Sequence, residues 1–269
     1  MDFRDKIVLI TGASSGIGAA TSKEFARLGA KVLLLARSED NLKKVADEIK
    51  KEGGYAKYYT IDISDHKSVD KISKKIKKDI GVPDIIFNNA GSGPFKFIEE
   101  TSPDEVFALM TPYFGAFFIT RSFMTEMLKR NSGHIVNMSS NSYVLSFPGV
   151  TGYIAANAAM RGFNDALRSD LYATNIRVTI IACSKVNTTF WANNPTCEQR
   201  CPTAQELLPT PNADEAAKTI VKGVYKKKKV IYIPSLLRIA VFIRYLCPPF
   251  MHWLLYKTGY KRENIAHLM

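Results

Sequence analysis

The segment Thr11-Gly12-Ala13-Ser14-Ser15-Gly16-Ile17-Gly18 gathers three glycines between an apolar run at 7–10 and an amphipathic stretch at 19–28. Glycines between a strand and a helix permit a tight turn and close backbone approach. The helix start adds unpaired N–H groups and a positive dipole, which together suit a pyrophosphate. Ser14 and Ser15 contribute hydroxyl donors, and Ile17 lies inside the turn, so Gly12, Ser14, Ser15, Gly16, Ile17 and Gly18 are expected to bind a nucleotide. The next apolar run, 31–36, ends Leu35-Ala36-Arg37-Ser38, where an acid would serve the ribose hydroxyls of NAD(H). Arg37 instead presents a planar, permanently charged fork suited to a 2′-phosphate, so NADP(H) is the expected cofactor. Asp62, ending a third run, could accept from the adenine amino group or serve as a turn or helix N-terminal acid.

These residues need a scaffold of alternating elements. Apolar runs at 55–61, 85–88, 134–138, 177–183 and 230–233 read as strands. Helical spacing covers 41–51, 68–80, 103–129 and 153–173. Strands alternating with helices imply βαβ units, hence an α/β fold with a doubly wound parallel sheet of the Rossmann type, covered on both faces. Residues 1–233 read as one domain. Residues 234–269 read as an apolar C-terminal extension in which Arg238, Arg244 and Pro248-Pro249 interrupt the run 236–256. The interruption predicts one or two short amphipathic helices rather than a membrane span. Such helices could close the core, cover a pocket, pack on a partner or lie at a membrane surface.

Thr11 to Gly18, Asp62, Asn88-Asn89-Ala90-Gly91, Ser139-Ser140 and Tyr153, in this order and spacing, resemble the short-chain dehydrogenase/reductase family across residues 5–190. The resemblance implies that Asn89, Ala90 and Gly91 lie beside the adenosine. It implies that Ser140 steadies the reacting carbonyl or hydroxyl and that Tyr153 donates or accepts its proton. Thr188 matches the residue expected near the carboxamide. Hydride transfer to a carbonyl leaves an oxyanion, which requires both a proton donor and a hydrogen-bond donor.

The chain departs from the family at the nicotinamide end. Its Tyr-x-x-x-Lys becomes Tyr153-Ile154-Ala155-Ala156-Asn157, which removes the cation that would lower the phenol's pKa. The helix asparagine of the family falls at Pro112, whose carbonyl could still carry a water relay and whose ring should kink the helix. The usual Pro-Gly reads Cys183-Ser184, with Lys185 next as a possible replacement charge. Two readings follow: an oxidoreductase with a rewired relay, or a degenerate member acting as a nucleotide-binding or assembly subunit.

With 46% apolar and 23% charged residues, the 269-residue chain can bury a large core, which excludes disorder. Four cysteines without a nearby His cluster argue against a disulfide scaffold or a metal site. The 37 Lys plus Arg against 25 Asp plus Glu leave a charge of +12. That charge lies on amphipathic stretches and the run 226–229, without the aromatics of a nucleic-acid module, so a nucleic-acid partner is not expected. The N-terminus lacks the basic and long apolar regions of a signal peptide, so a cytoplasmic or cytosol-facing membrane location is expected. Phe190-Trp191 and the apolar tail suggest a bulky hydrophobic, lipid-like or steroid-like substrate, and a homo-oligomer is expected.

Overall fold

The computed structural model describes residues 1–91 and 93–262. Strands β1 (Ile7–Thr11), β2 (Lys31–Ala36), β3 (Tyr55–Thr60), β4 (Ile85–Asn88), β5 (Gly133–Ser140), β6 (Ile176–Cys183) and β7 (Val230–Ile233) form one sheet in the order β3-β2-β1-β4-β5-β6-β7. Every pairing is parallel. The connecting helices are α1 (Gly16–Arg27), α2 (Glu39–Lys51), α3 (His66–Asp79), α4 (Pro103–Lys129) and α5 (Thr151–Asp170). After β6 come two short helices, α6 (Thr189–Asn193) and α7 (Pro195–Arg200), then α8 (Ala213–Tyr225) and, past β7, α9 (Leu237–Leu246) and α10 (Pro248–Thr258).

The apolar runs of the inner strands are apolar on both faces because both are covered. In β1, Val8 and Ile10 join the core under α1, α2 and α8, while Leu9 joins the opposite core under α3, α4 and α5. Each such side chain contributes roughly 1.5 to 3 kcal/mol on burial. The helices carry local start signals. A Ser102–Glu105 capping box opens α4. In α2, Glu39 and Asp40 open and Lys50 and Lys51 close the helix, matching its dipole. By length and composition α4 could cross a membrane. Here it covers the sheet, with Ile119, Phe123 and Met127 fully buried.

The elements expected from periodicity form within three residues of their expected ends. Three findings correct or extend that reading. The glycine turn itself supplies the first turn of α1, which begins at Gly16 rather than 19. Pro112 does not interrupt α4, which runs on from Pro103 to Lys129; the ring removes one N–H and so leaves the Ala108 carbonyl without its helical donor. The stretch 189–211, for which periodicity gives no element, holds α6, α7 and a 3-10 turn at Thr203–Leu207. The extension forms two helices, and their inner residues Leu237, Val241, Met251 and Leu255 pack with Leu145 and Ala182.

Candidate active site

The strand order reverses between β1 and β4, where loops leaving neighbouring strands diverge and open a crevice at their C-terminal ends. A cleft of about 1090 Å³ lies there, and every site residue expected from the sequence lines it.

At one end is the glycine turn. Gly12 has φ +64°, and a Cβ there would sit 2.8 Å from the Ala90 Cα; a Cβ on Gly18 would fall 2.2 Å from the Gly12 carbonyl oxygen. Only glycine fits this crossing of the turn, α1 and the end of β4. The turn is braced from β4. Thr11 Oγ1 accepts from the Asn89 and Ala90 N–H groups at 3.0 Å, and Asn89 Nδ2 donates to the Thr11 and Gly12 carbonyls at 3.0 and 3.3 Å. Asn89 therefore acts on the cleft through the turn, beside Ala90 and Gly91. Ser15 caps α1 without a side-chain bond, and no acid occupies the first turn. The first N–H groups of α1 are thus left for an anion, flanked by Ser14, Ser15 and Ile17. Thr188 reaches the same turn, within 3.6 Å of where a Gly16 Cβ would be. Arg37 is exposed on the rim. Asp62 is held below the ordinary carboxylate range, first by the Ser64 N–H and hydroxyl and then by the Arg37 charge. This cradle fits a dinucleotide: close backbone, free helix N–H groups and an exposed cation on the rim.

At the other end, Ser140 ends β5 and Tyr153 sits in the first turn of α5. Asn157, one turn on, links them. Its Oδ1 accepts from the Ser140 N–H at 2.7 Å and the Ser139 hydroxyl at 3.1 Å, and its Nδ2 donates to the Tyr153 carbonyl at 2.9 Å. Ser140 Oγ accepts from the Ser142 N–H at 3.2 Å. Burial pushes the Tyr153 phenol up to about 12, opposed by hydrogen bonding to Ser140 and Asn157. A neighbouring cation would have the opposite effect. The Lys185 ammonium is instead paired with Glu198 at 2.7 Å and lies over the Trp191 ring at 5.1 Å, so the expected replacement charge is engaged by α7. Pro112 lines the cleft beside Gly91.

Two features of the site go beyond the Phe190-Trp191 pair that the sequence offered. Aromatic rings wall the reacting end: Phe95 lies 4.9 Å from Tyr153, 5.8 Å from Phe147 and 6.5 Å from Trp191, centroid to centroid. Trp191 is anchored by its indole N–H to the Val186 carbonyl at 2.8 Å. The second is a buried amide ladder beneath the floor. Asn88 donates to Thr120 and Asn137, and Asn137 donates to Asn164, tying β4, β5, α4 and α5 together. Asn137 and Asn164 are fully buried polar residues in apolar or helical runs, which is the one signal that could have flagged them.

The chain is similar to known proteins. The fatty acyl-CoA reductase of Acinetobacter baylyi is 32% identical over 231 residues, covering 85% of this chain and 76% of its own length. 17-beta-hydroxysteroid dehydrogenase 13 of Rattus norvegicus is 30% identical over 245 residues, covering 90% and 79%. Matching mycobacterial oxidoreductases are longer, the chain spanning 66% of their length. Among solved structures, an alcohol dehydrogenase from Thermococcus sibiricus complexed with 5-hydroxy-NADP has a TM-score of 0.74 at 27% identity, over 85% of this chain and 96% of that one. The pattern of the short chain dehydrogenases matches residues 6–199, from β1 into α7. With the sheet order, the glycine turn and the Ser140–Tyr153 pair in one cleft, the chain belongs to the short chain dehydrogenase family.

Proposed function

We propose that this protein is an NADP(H)-dependent reductase of bulky apolar carbonyl compounds, with Tyr153 as proton donor and Ser140 as hydrogen-bond partner of the carbonyl oxygen. The carrying observation is that Ser140 and Tyr153 line the same cleft as the glycine turn and Arg37. The cofactor, when bound, supplies the hydride. Arg37 would hold its 2′-phosphate and the first turn of α1 its pyrophosphate. Ser140 Oγ stabilises charge developing on the substrate oxygen. The Tyr153 O–H then breaks as the alcohol O–H forms, leaving a phenolate that is reprotonated from solvent. A phenol raised to about 12 stays protonated through the neutral range. It is a competent proton donor to a far more basic alkoxide.

The rings of Phe95, Phe147 and Trp191 favour an apolar substrate, and the relatives named for fatty acyl-CoA and hydroxysteroid chemistry support a lipid-like class. The non-catalytic alternative draws no support from these relatives, and Asn157 has a defined part in holding Ser140. We further place a second copy against the α4–α5 face, where Tyr113, Phe117 and Phe163 line a groove of about 540 Å³. NADPH titration by fluorescence, followed by turnover on a long-chain aldehyde and a steroid ketone, tests the reading. Turnover lost in Tyr153→Phe with binding retained supports it, and tight binding without turnover on any carbonyl overturns it.

A further inference from the structure

The outer face of α9 and α10 is apolar and uncovered. Eight of the eighteen large apolar side chains that are exposed among the described residues fall within 236–256. Ile239, Phe242 and Leu246 project from α9, and Phe250, Trp253 and Tyr256 from α10. Phe242 is 64% exposed, Leu246 73% and Trp253 54%. Their spacing is helical, and the opposite face is occupied: Leu237, Val241, Met251 and Leu255 hold both helices on the body of the protein. The outer residues are therefore surplus to folding. On this face Phe250 stacks with Trp253 at 6.1 Å and Lys257 lies over the Trp253 ring at 4.8 Å.

Charge identifies what covers it. Residues 236–262, which carry both helices, contain five Lys or Arg and no Asp or Glu. Arg238, Lys257 and Lys261 are exposed around the apolar face. A second copy docked face to face would oppose like charges, whereas an anionic surface would complement them. Ten and eleven residues make helices of about 15 Å, half the hydrocarbon thickness, so neither can span a bilayer and both suit its plane. Trp and Tyr mixed with cations are the side chains that the headgroup boundary favours.

We infer that the outer face of α9–α10 is a docking surface for an anionic lipid bilayer. It adjoins the reacting end of the cleft. Phe147 packs on both the α9–α10 cluster and the aromatic wall, and Tyr260, just past α10, meets Phe97 at 6.2 Å with Arg200 over both rings. A bilayer seated there lies beside the cleft that would accept an apolar substrate, although docking itself does not depend on the proposed reaction.

The test is co-sedimentation of the full chain with sucrose-loaded vesicles of phosphatidylcholine and phosphatidylserine, or phosphatidylcholine alone. Binding is expected to the anionic vesicles and to weaken with salt. Phe242→Glu with Trp253→Glu should cut binding at least about tenfold, and Arg238→Glu with Lys257→Glu should remove the preference for anionic lipid. All four side chains are exposed, and unchanged circular dichroism and melting temperature verify folding. A wild-type chain that stays in the supernatant overturns the inference. So does unaltered binding by both variants, or a vesicle-free dimer that the Phe242/Trp253 variant alone dissolves.

Discussion

The Asn157 side chain holds Ser140 and Tyr153 at once, accepting from the Ser140 N–H at 2.7 Å and donating to the Tyr153 carbonyl at 2.9 Å. Where the family places a cation, this chain has a neutral bracket between β5 and α5. Asn157→Ala should leave the Ser140 N–H without this acceptor and lower stability by about 1 to 3 kcal/mol, read by denaturant unfolding. Asn157→Lys loses the bracket but brings a cation toward the phenol. Its expected signature is alcohol oxidation whose pH dependence shifts to lower pH than in the wild type.

The height of the Tyr153 phenol sets a pH profile. Reduction of a ketone should stay level from neutral pH to about 10, because the donor remains protonated well below 12. Oxidation should climb throughout that range as phenolate appears. Tyr153→Phe should lower reduction by roughly 10²- to 10⁴-fold with NADPH affinity unchanged, as steady-state rates and fluorescence titration would show.

Arg37 is the residue proposed to set the preference for NADP(H) over NAD(H). Arg37→Ala should weaken NADPH by about 1.5 to 3 kcal/mol through loss of charge-assisted bonds and leave NADH nearly unchanged. Equal losses for both in a calorimetric titration would contradict the assignment.

His134 should make the chain sensitive to mild acid. Burial, with Lys227 and Arg177 nearby, lowers its imidazole to about 4, and its Nε2 lies 2.8 Å from Thr179 Oγ1. Folded, it stays neutral; unfolded, it takes a proton below 6.5. Its contribution is therefore complete above pH 6.5 and is lost as the pH falls toward 4, amounting to roughly 3 kcal/mol over that window. His134→Gln should flatten the stability curve between those pH values in urea titrations.

The α4–α5 face supplies the fifth expectation. Phe117, 41% exposed, lines its groove with Tyr113 and Phe163. Phe117→Arg should convert an oligomer to monomer by light scattering, while NADPH binding persists.

The sequence by itself determined the strand–helix alternation and the nucleotide end of the cleft. Those are local facts: glycines at 12, 16 and 18 serve a turn made by consecutive residues, Arg37 and Asp62 lie within two residues of the ends of their strands, and the apolar runs of the inner strands bury both faces. Asn157 and Lys185 were legible as departures, but their partners were not. Whether Lys185 meets Tyr153 or Glu198 depends on where α7 packs, and α7 lies in a stretch with no helical period to announce it. The height of the Tyr153 phenol, the wall formed by Phe95, Phe147 and Trp191, and the Asn88–Asn137–Asn164 ladder arise from residues dozens of positions apart meeting across different elements. The tail shows the same division: its amphipathic spacing was visible, but only packing on Leu145 and Ala182 decided which face is buried and which remains outside. Burial and partnership are properties of the assembled layers, and these set the chemistry at the reacting end.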